Sequence, residues 1–80
     1  HKVKKGMAEA IEIIVDSSYQ NLKGKLISDL RLDENINIPA LKRGESVLMA
    51  HSDTEIHDDD HLIVFYKDKE VIDNFYNTFR

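Results

Sequence analysis

Apolar side chains recur along the chain with two different spacings, and the changes of spacing mark out its elements. In "MAEAIEIIVD" (7–16) Ile11, Ile13 and Val15 share one parity, and the β-branched crowding there favours a strand over the helix that its Ala and Glu content would allow. Leu22, Leu26, Ile27 and Leu30 fall at i, i+4, i+5 and i+8, one stripe of a helix. With Gly24 a poor member of a first turn and Asn21 available as a cap, the spacing predicts a short helix over 23–30. "ENINIPALKRGESVLMA" alternates through Ile36, Ile38 and Ala40, turns at Arg43-Gly44-Glu45 and returns through Val47, Leu48 and Met49, a hairpin pattern. Pro39 has no N–H to give a ladder, so its strand lies at an edge or has its N–H side free there.

The second half is simpler. "HSDTEIHDDD" is a polar connection with one apolar anchor, Ile56, and it feeds "HLIVFYK", a continuous apolar run that reads as a buried strand. Asp68 then caps a helix whose Val71, Ile72, Phe75, Tyr76 and Phe79 form one face; the acids Asp68, Glu70 and Asp73 near its start and Arg80 at its end suit the helix dipole. The predicted order is β-α-β-β-β-α, an α+β fold of two layers with a small mixed sheet.

Eighty residues make one small domain, 1–80, with a marginal core, so docking against another copy or another domain is expected. The chain opens at His1 and runs straight into structured-looking sequence, as a fragment of a longer polypeptide would. A formal charge of −4 argues against nucleic acid, and the one basic cluster, Lys2, Lys4 and Lys5, reads as a solvated end. No apolar run approaches the roughly 20 residues that span a bilayer. Cysteine is absent, so redox chemistry names no compartment.

Candidate chemistry is concentrated in "HDDDH", His57 to His61. Metal ligands must converge on one point, but strand alternation sends Asp60 and His61 to opposite faces, and a calcium loop would space its acids and carry a mid-loop glycine. The stretch therefore reads as a solvated turn before a strand, with no metal assigned. No Gly-x-Ser-x-Gly elbow occurs, and the glycines at 6, 24 and 44 make no phosphate loop. His51 reads as exposed loop, and Tyr19, Tyr66 and Tyr76 as core rim. An enzyme is not expected.

Taken in order, "AEAIEIIV", Leu22-x-Gly24-Lys25-Leu26, Asp29-Leu30, "INIPALKRG", "DTEI" and Asp60 before the last strand resemble the TrkA-C domain, the C-terminal subdomain (RCK_C) of regulator-of-potassium-conductance proteins. The leading "KKGMAEAIE" and trailing "DKEVIDNF" are most similar to the second such subdomain of Trk-type potassium-uptake subunits.

The resemblance implies a regulatory domain of a cytoplasmic subunit, peripheral to the inner face of the plasma membrane. Such a subunit controls a membrane potassium transporter through self-association, as a homodimer within a larger ring. It implies that NAD(H) or ATP/ADP binds only in an upstream Rossmann domain, with no cofactor in these residues. The alternative it carries is a sensor of a cyclic dinucleotide or cation at the dimer seam, with Arg31, Asn37, Ile38 and Pro39 matching the ligand-binding stretch. A strand exposing Ile36, Ile38 and Pro39 would suit that seam. The family's Gly-Asp turn before the last strand falls on Asp59-Asp60, which makes Asp59 a candidate for a positive φ.

Overall fold

The computed structural model describes residues 8–80. The lysine cluster at 2, 4 and 5 and the predicted first strand residue, Met7, lie outside them. Four strands, β1 (Glu9–Ile14), β2 (Ile36–Arg43), β3 (Ser46–Met49) and β4 (His61–Tyr66), form one sheet in the order β1-β4-β2-β3. One α-helix, α1 (Lys69–Phe79), covers one face. The α+β class and the order of elements are as read from the sequence. The sheet is antiparallel at all three pairings rather than mixed, because β4 returns between β1 and β2 and runs against both.

The helix predicted over 23–30 is replaced by two 3-10 turns, Ser17–Leu22 and Ile27–Leu30. Gly24, at φ +80°, breaks the chain between them. Asp16, not Asn21, caps the first turn, accepting from the Ser18 N–H at 2.9 Å. The N–H groups a helix would have used internally go elsewhere. Gly24, Ile27 and Ser28 donate to the carbonyls of Ile56, Thr54 and Ser52, so the polar connection runs alongside this segment as an irregular ribbon. Leu22 and Leu30 are buried but Leu26 is exposed; two separate turns mimic a helical stripe.

Pro39 stands in an interior strand. The β2–β4 register shifts between Asn37 and Ala40, and this bulge absorbs the residue that cannot donate, while the Pro39 carbonyl accepts from the Ala50 N–H at 2.9 Å. An extra residue also inverts side-chain parity. Ile36 and Ile38 before the bulge and Leu41 after it all face the core. The expected exposure of Ile36 and Ile38 is therefore corrected: Ile38 is 2% exposed, and a seam cannot be built on either side chain. They join Ile13, Leu62, Val64 and Ile56, with Ile72, Phe75 and Phe79 of α1. Phe75 and Phe79 meet with ring centroids 4.9 Å apart, and Arg80 lies over Tyr76 while its Nε donates to the Tyr19 hydroxyl at 3.1 Å. Asp68 holds the N-cap position of α1, though its side chain accepts no capping bond.

The turn before β4 is tied down by one carboxylate. Asp59 takes the left-handed conformation at φ +67°, and its N–H donates to the Val15 carbonyl while the Asp60 carbonyl accepts from the Val15 N–H, both at 2.8 Å. The Asp60 side chain, 1% exposed, receives Arg43 Nε at 2.9 Å and the other guanidinium arm at 2.7 Å, and the His57 N–H at 2.8 Å. Burial would raise its pKa and is the largest influence. The Arg43 hydrogen bond, the His57 N–H and the Arg43 charge together outweigh it and hold the carboxyl below its ordinary value.

Two measurements follow from this clasp. Asp60→Ala should cost about 3 kcal/mol, since it strands Arg43 and the His57 N–H, and Asp59→Gly should be neutral or stabilising by up to about 1 kcal/mol through relief of φ strain. Urea midpoints of the two variants check the order of the effects. Arg43→Met with Asp60→Asn should cost less than the two single changes added, because no charge is then left buried alone. The second measurement is an acid titration. A lowered folded pKa means that Asp60 stabilises the fold fully above its unfolded value, about 3.9, and that this stabilisation disappears as pH falls through the folded value. Midpoints below about pH 4 should drop more steeply for the parent chain than for Asp60→Asn.

Candidate functional site

A groove of about 610 Å³ opens between α1 and the two 3-10 turns. Its floor is the edge of the core, Leu30, Ile36, Phe75 and Phe79, which makes it apolar and largely preformed. Its rim carries Lys25 and Arg31 with Asp29 and Asp33. The acids are engaged locally, Asp29 accepting from the Leu26 N–H at 2.9 Å and Asp33 from the Asn35 N–H at 2.8 Å. The cations are not; among the described residues neither Lys25 nor Arg31 makes an ion pair.

Arg31 closes the second 3-10 turn in the left-handed conformation, φ 49° and ψ 55°, a costly backbone for a residue with a Cβ. Two unpaired cations beside an apolar floor can hold a flat, anionic molecule. Among the described residues the lining brings no serine, cysteine or histidine to the groove.

The four residues matched to a ligand-binding stretch do not gather in it. Arg31 lines the groove; Asn37 is exposed on the opposite face of the sheet beside the bulge; Pro39 is half-buried there; Ile38 is in the core and could offer only backbone. "HDDDH" is likewise dispersed. Asp58 pairs with Lys23 at 2.7 Å, Asp60 with Arg43, and His61 Nδ1 with Glu12 at 2.5 Å, while His57 stands 3.8 Å from Glu55. Among the described residues no three His, Asp or Glu side chains converge. Sequence reasoning missed Arg43 as the partner of Asp60, because 17 residues separate them and each was read only within its own turn. It missed Lys25 as a groove cation because a helix there would have turned that side chain into solvent.

Residues 10–80 match the TrkA-C domain family. The Trk system potassium uptake protein TrkA of Vibrio alginolyticus is 39% identical over 72 residues, and that of Halomonas elongata 40% over 74. These alignments cover 88% and 90% of this chain but 16% of either relative, so the chain spans a small part of their length. Among solved structures, the RCK C domain of the potassium transport protein KtrA in complex with cyclic diadenosine monophosphate superposes with a TM-score of 0.73 at 22% identity, over 89% of this chain and 82% of that one. The RCK_C domain dimer of S. agalactiae BusR in complex with c-di-AMP gives 0.63 at 21%, over 86% and 96%. The structural likeness establishes a shared fold, and the sequence match over nearly the whole chain establishes more: the chain belongs to the TrkA-C domain family.

Proposed function

We propose that this chain is the regulatory, non-catalytic domain of a cytoplasmic subunit that controls potassium uptake through a membrane transporter. It acts by pairing with its own kind within a larger ring and by passing ligand state across that pairing. The observation that carries this reading is the 39–40% identity to TrkA proteins across most of the chain. No helix among the described residues is long and apolar enough to cross a membrane, so contact with the transporter would be made from its surface. In the full-length protein a Rossmann domain bearing Gly-x-Gly-x-x-Gly would precede this one and hold NAD(H) or ATP/ADP; these 80 residues contain no such motif.

A second reading has its own support, since two solved relatives in fold are complexes with cyclic di-AMP. Here the domain would itself be the sensor. Arg31, with Asn37, Pro39 and the backbone of Ile38 from a second copy, would hold the dinucleotide at the seam between copies. The unpaired guanidinium of Arg31 and its strained backbone fit a phosphate contact.

Transplantation tests the first reading. This chain, put in place of the matching segment of Vibrio alginolyticus TrkA in cells lacking their own subunit, should restore rubidium uptake well above that of the segment deletion. Uptake equal to the deletion would overturn it. For the sensor reading, cyclic di-AMP at about 100 times its Kd should stabilise the domain by about 2.7 kcal/mol in thermal unfolding, and Arg31→Ala should remove most of that shift. A melting temperature unmoved by millimolar cyclic di-AMP would sink the sensor reading alone. Calcium and magnesium serve as the cation arms of the same assay.

A further inference from the structure

A charge that partly leaves water is normally paired within the fold. Among the described residues three Lys and Arg side chains are half-buried: Lys23, Lys25 and Arg43. Lys23 pairs with Asp58 and Arg43 with Asp60. Lys25 has no acid, although Asp29 and Asp33 share its rim of the groove, because those carboxylates are turned to the Leu26 and Asn35 N–H groups. Its stem lines the groove and its charge is left for something else. Arg31, beside it on the same rim, is likewise without a partner and holds a left-handed backbone. Such strain costs stability and concentrates at ligand clamps.

We propose that the groove is a binding site, complete within one copy of the chain, for a small amphiphilic carboxylate: one anionic head on an alkyl body of about eight to ten carbons. This site goes beyond the potassium role; it shares Arg31 with the sensor reading but needs no second copy.

The rim sets the charge of the head. Its charged side chains are Lys25 and Arg31 against Asp29 and Asp33, a formal sum of zero on a chain of net charge −4. A doubly charged phosphate monoester meets too little positive potential there. A single carboxylate is matched, since Arg31 can donate two parallel N–H bonds to it and Lys25 a third.

The floor sets the body. Leu30, Ile36 and Val71 are branched aliphatics, and the Phe75 and Phe79 rings are tilted 54° to each other, a surface that an alkyl chain can follow. The α1 bank runs from Val71 to Phe79, about 12 Å at a rise of about 1.5 Å per residue. That is the reach of roughly ten carbons in a zigzag of bonds about 1.5 Å long. Asn74 and Thr78 on this bank carry no charge, so the head is drawn to the opposite one.

Titration of sodium hexanoate, octanoate, decanoate and dodecanoate into the isotope-labelled chain, followed by two-dimensional NMR, tests the site. Saturable one-to-one binding is expected, with amide shifts confined to residues 25–36 and 71–79. Full burial of a methylene tightens binding about fourfold, and a groove open on one side realises about half of that free energy. Affinity should therefore rise about twofold per methylene up to decanoate and then level off. Decanol, the same body without the charge, should bind several-fold more weakly. Arg31→Gly should weaken decanoate about fivefold while its melting temperature holds or rises, because glycine relieves the positive φ. Lys25→Gln should weaken it by a similar factor, and Lys42→Gln, an exposed lysine of β2 outside the groove, should change nothing. Decanoate no tighter than hexanoate, decanol equal to decanoate, or shifts spread over other surfaces would overturn the site. Decanoate that fails to bind at all overturns it too, and leaves the sensor reading to its own assay with cyclic di-AMP.

Discussion

Asp60 is the charged side chain that folding takes out of water almost completely among the described residues, and the surrounding segments are arranged to keep it ionised. An isolated carboxylate in that position would take up a proton instead. Two arms of Arg43 and one backbone N–H prevent this, and each comes from a different place: the end of β2, and the connection before β4. The same guanidinium reaches the Glu55 carbonyl at 2.9 Å, adding the irregular ribbon to the clasp. Meanwhile the backbone of the adjacent Asp59-Asp60 pair grips Val15 at the end of β1. One turn therefore fixes where β1 ends, where β4 begins and how the hairpin lies over both. Buried ion pairs add little net stability against apolar substitutes, so the clasp matters chiefly for register: it is satisfied by one arrangement of these strands and by few others.

How much of this the residues disclosed depends on the range of the interaction. Period-2 and period-3.6 patterns are local, and they located β1, the hairpin, β4 and α1 well. Residues 17–30 misled because a helical stripe of leucines was produced by two short 3-10 turns, with Gly24, Ile27 and Ser28 bonded to the ribbon at 52–56 rather than along a continuous helix. Nothing in a run such as His51-Ser52-Asp53-Thr54 announces that its carbonyls are acceptors for a distant segment. Pro39 was read correctly as a residue needing a free N–H side. That an interior bulge, and not an edge, supplies it depends on β4 pairing across the chain. The same oversight placed Ile36 and Ile38 outside. Arg31 could be singled out only through family likeness, since its left-handed backbone and its groove are tertiary facts.

Among the described residues, β2 borders both the groove and the outer face of the sheet. Ile36 at its start forms part of the groove floor, while Asn37 and Ala40 face outward among the apolar rows of the sheet. A molecule seated beside Arg31 would thus press on the same short stretch of backbone that borders the outer face.

The bulge at Pro39 gives β2 a property that ordinary strands lack. Its two halves are out of phase, so the strand's length at that point decides which way its far end faces. Add one residue between Asn37 and Ala40 beyond the one the bulge absorbs and Leu41 would turn to solvent while Lys42 turned to the core; Arg43, on the face of Leu41, would swing away from Asp60 as well. An insertion there is consequently a long-range edit, felt at Asp60, 17 residues beyond Arg43, although each original residue is unchanged. Homologous chains one residue longer across this stretch would have to recover the phase elsewhere or abandon the arginine–aspartate clasp altogether, whereas chains one residue shorter could keep it by losing the bulge.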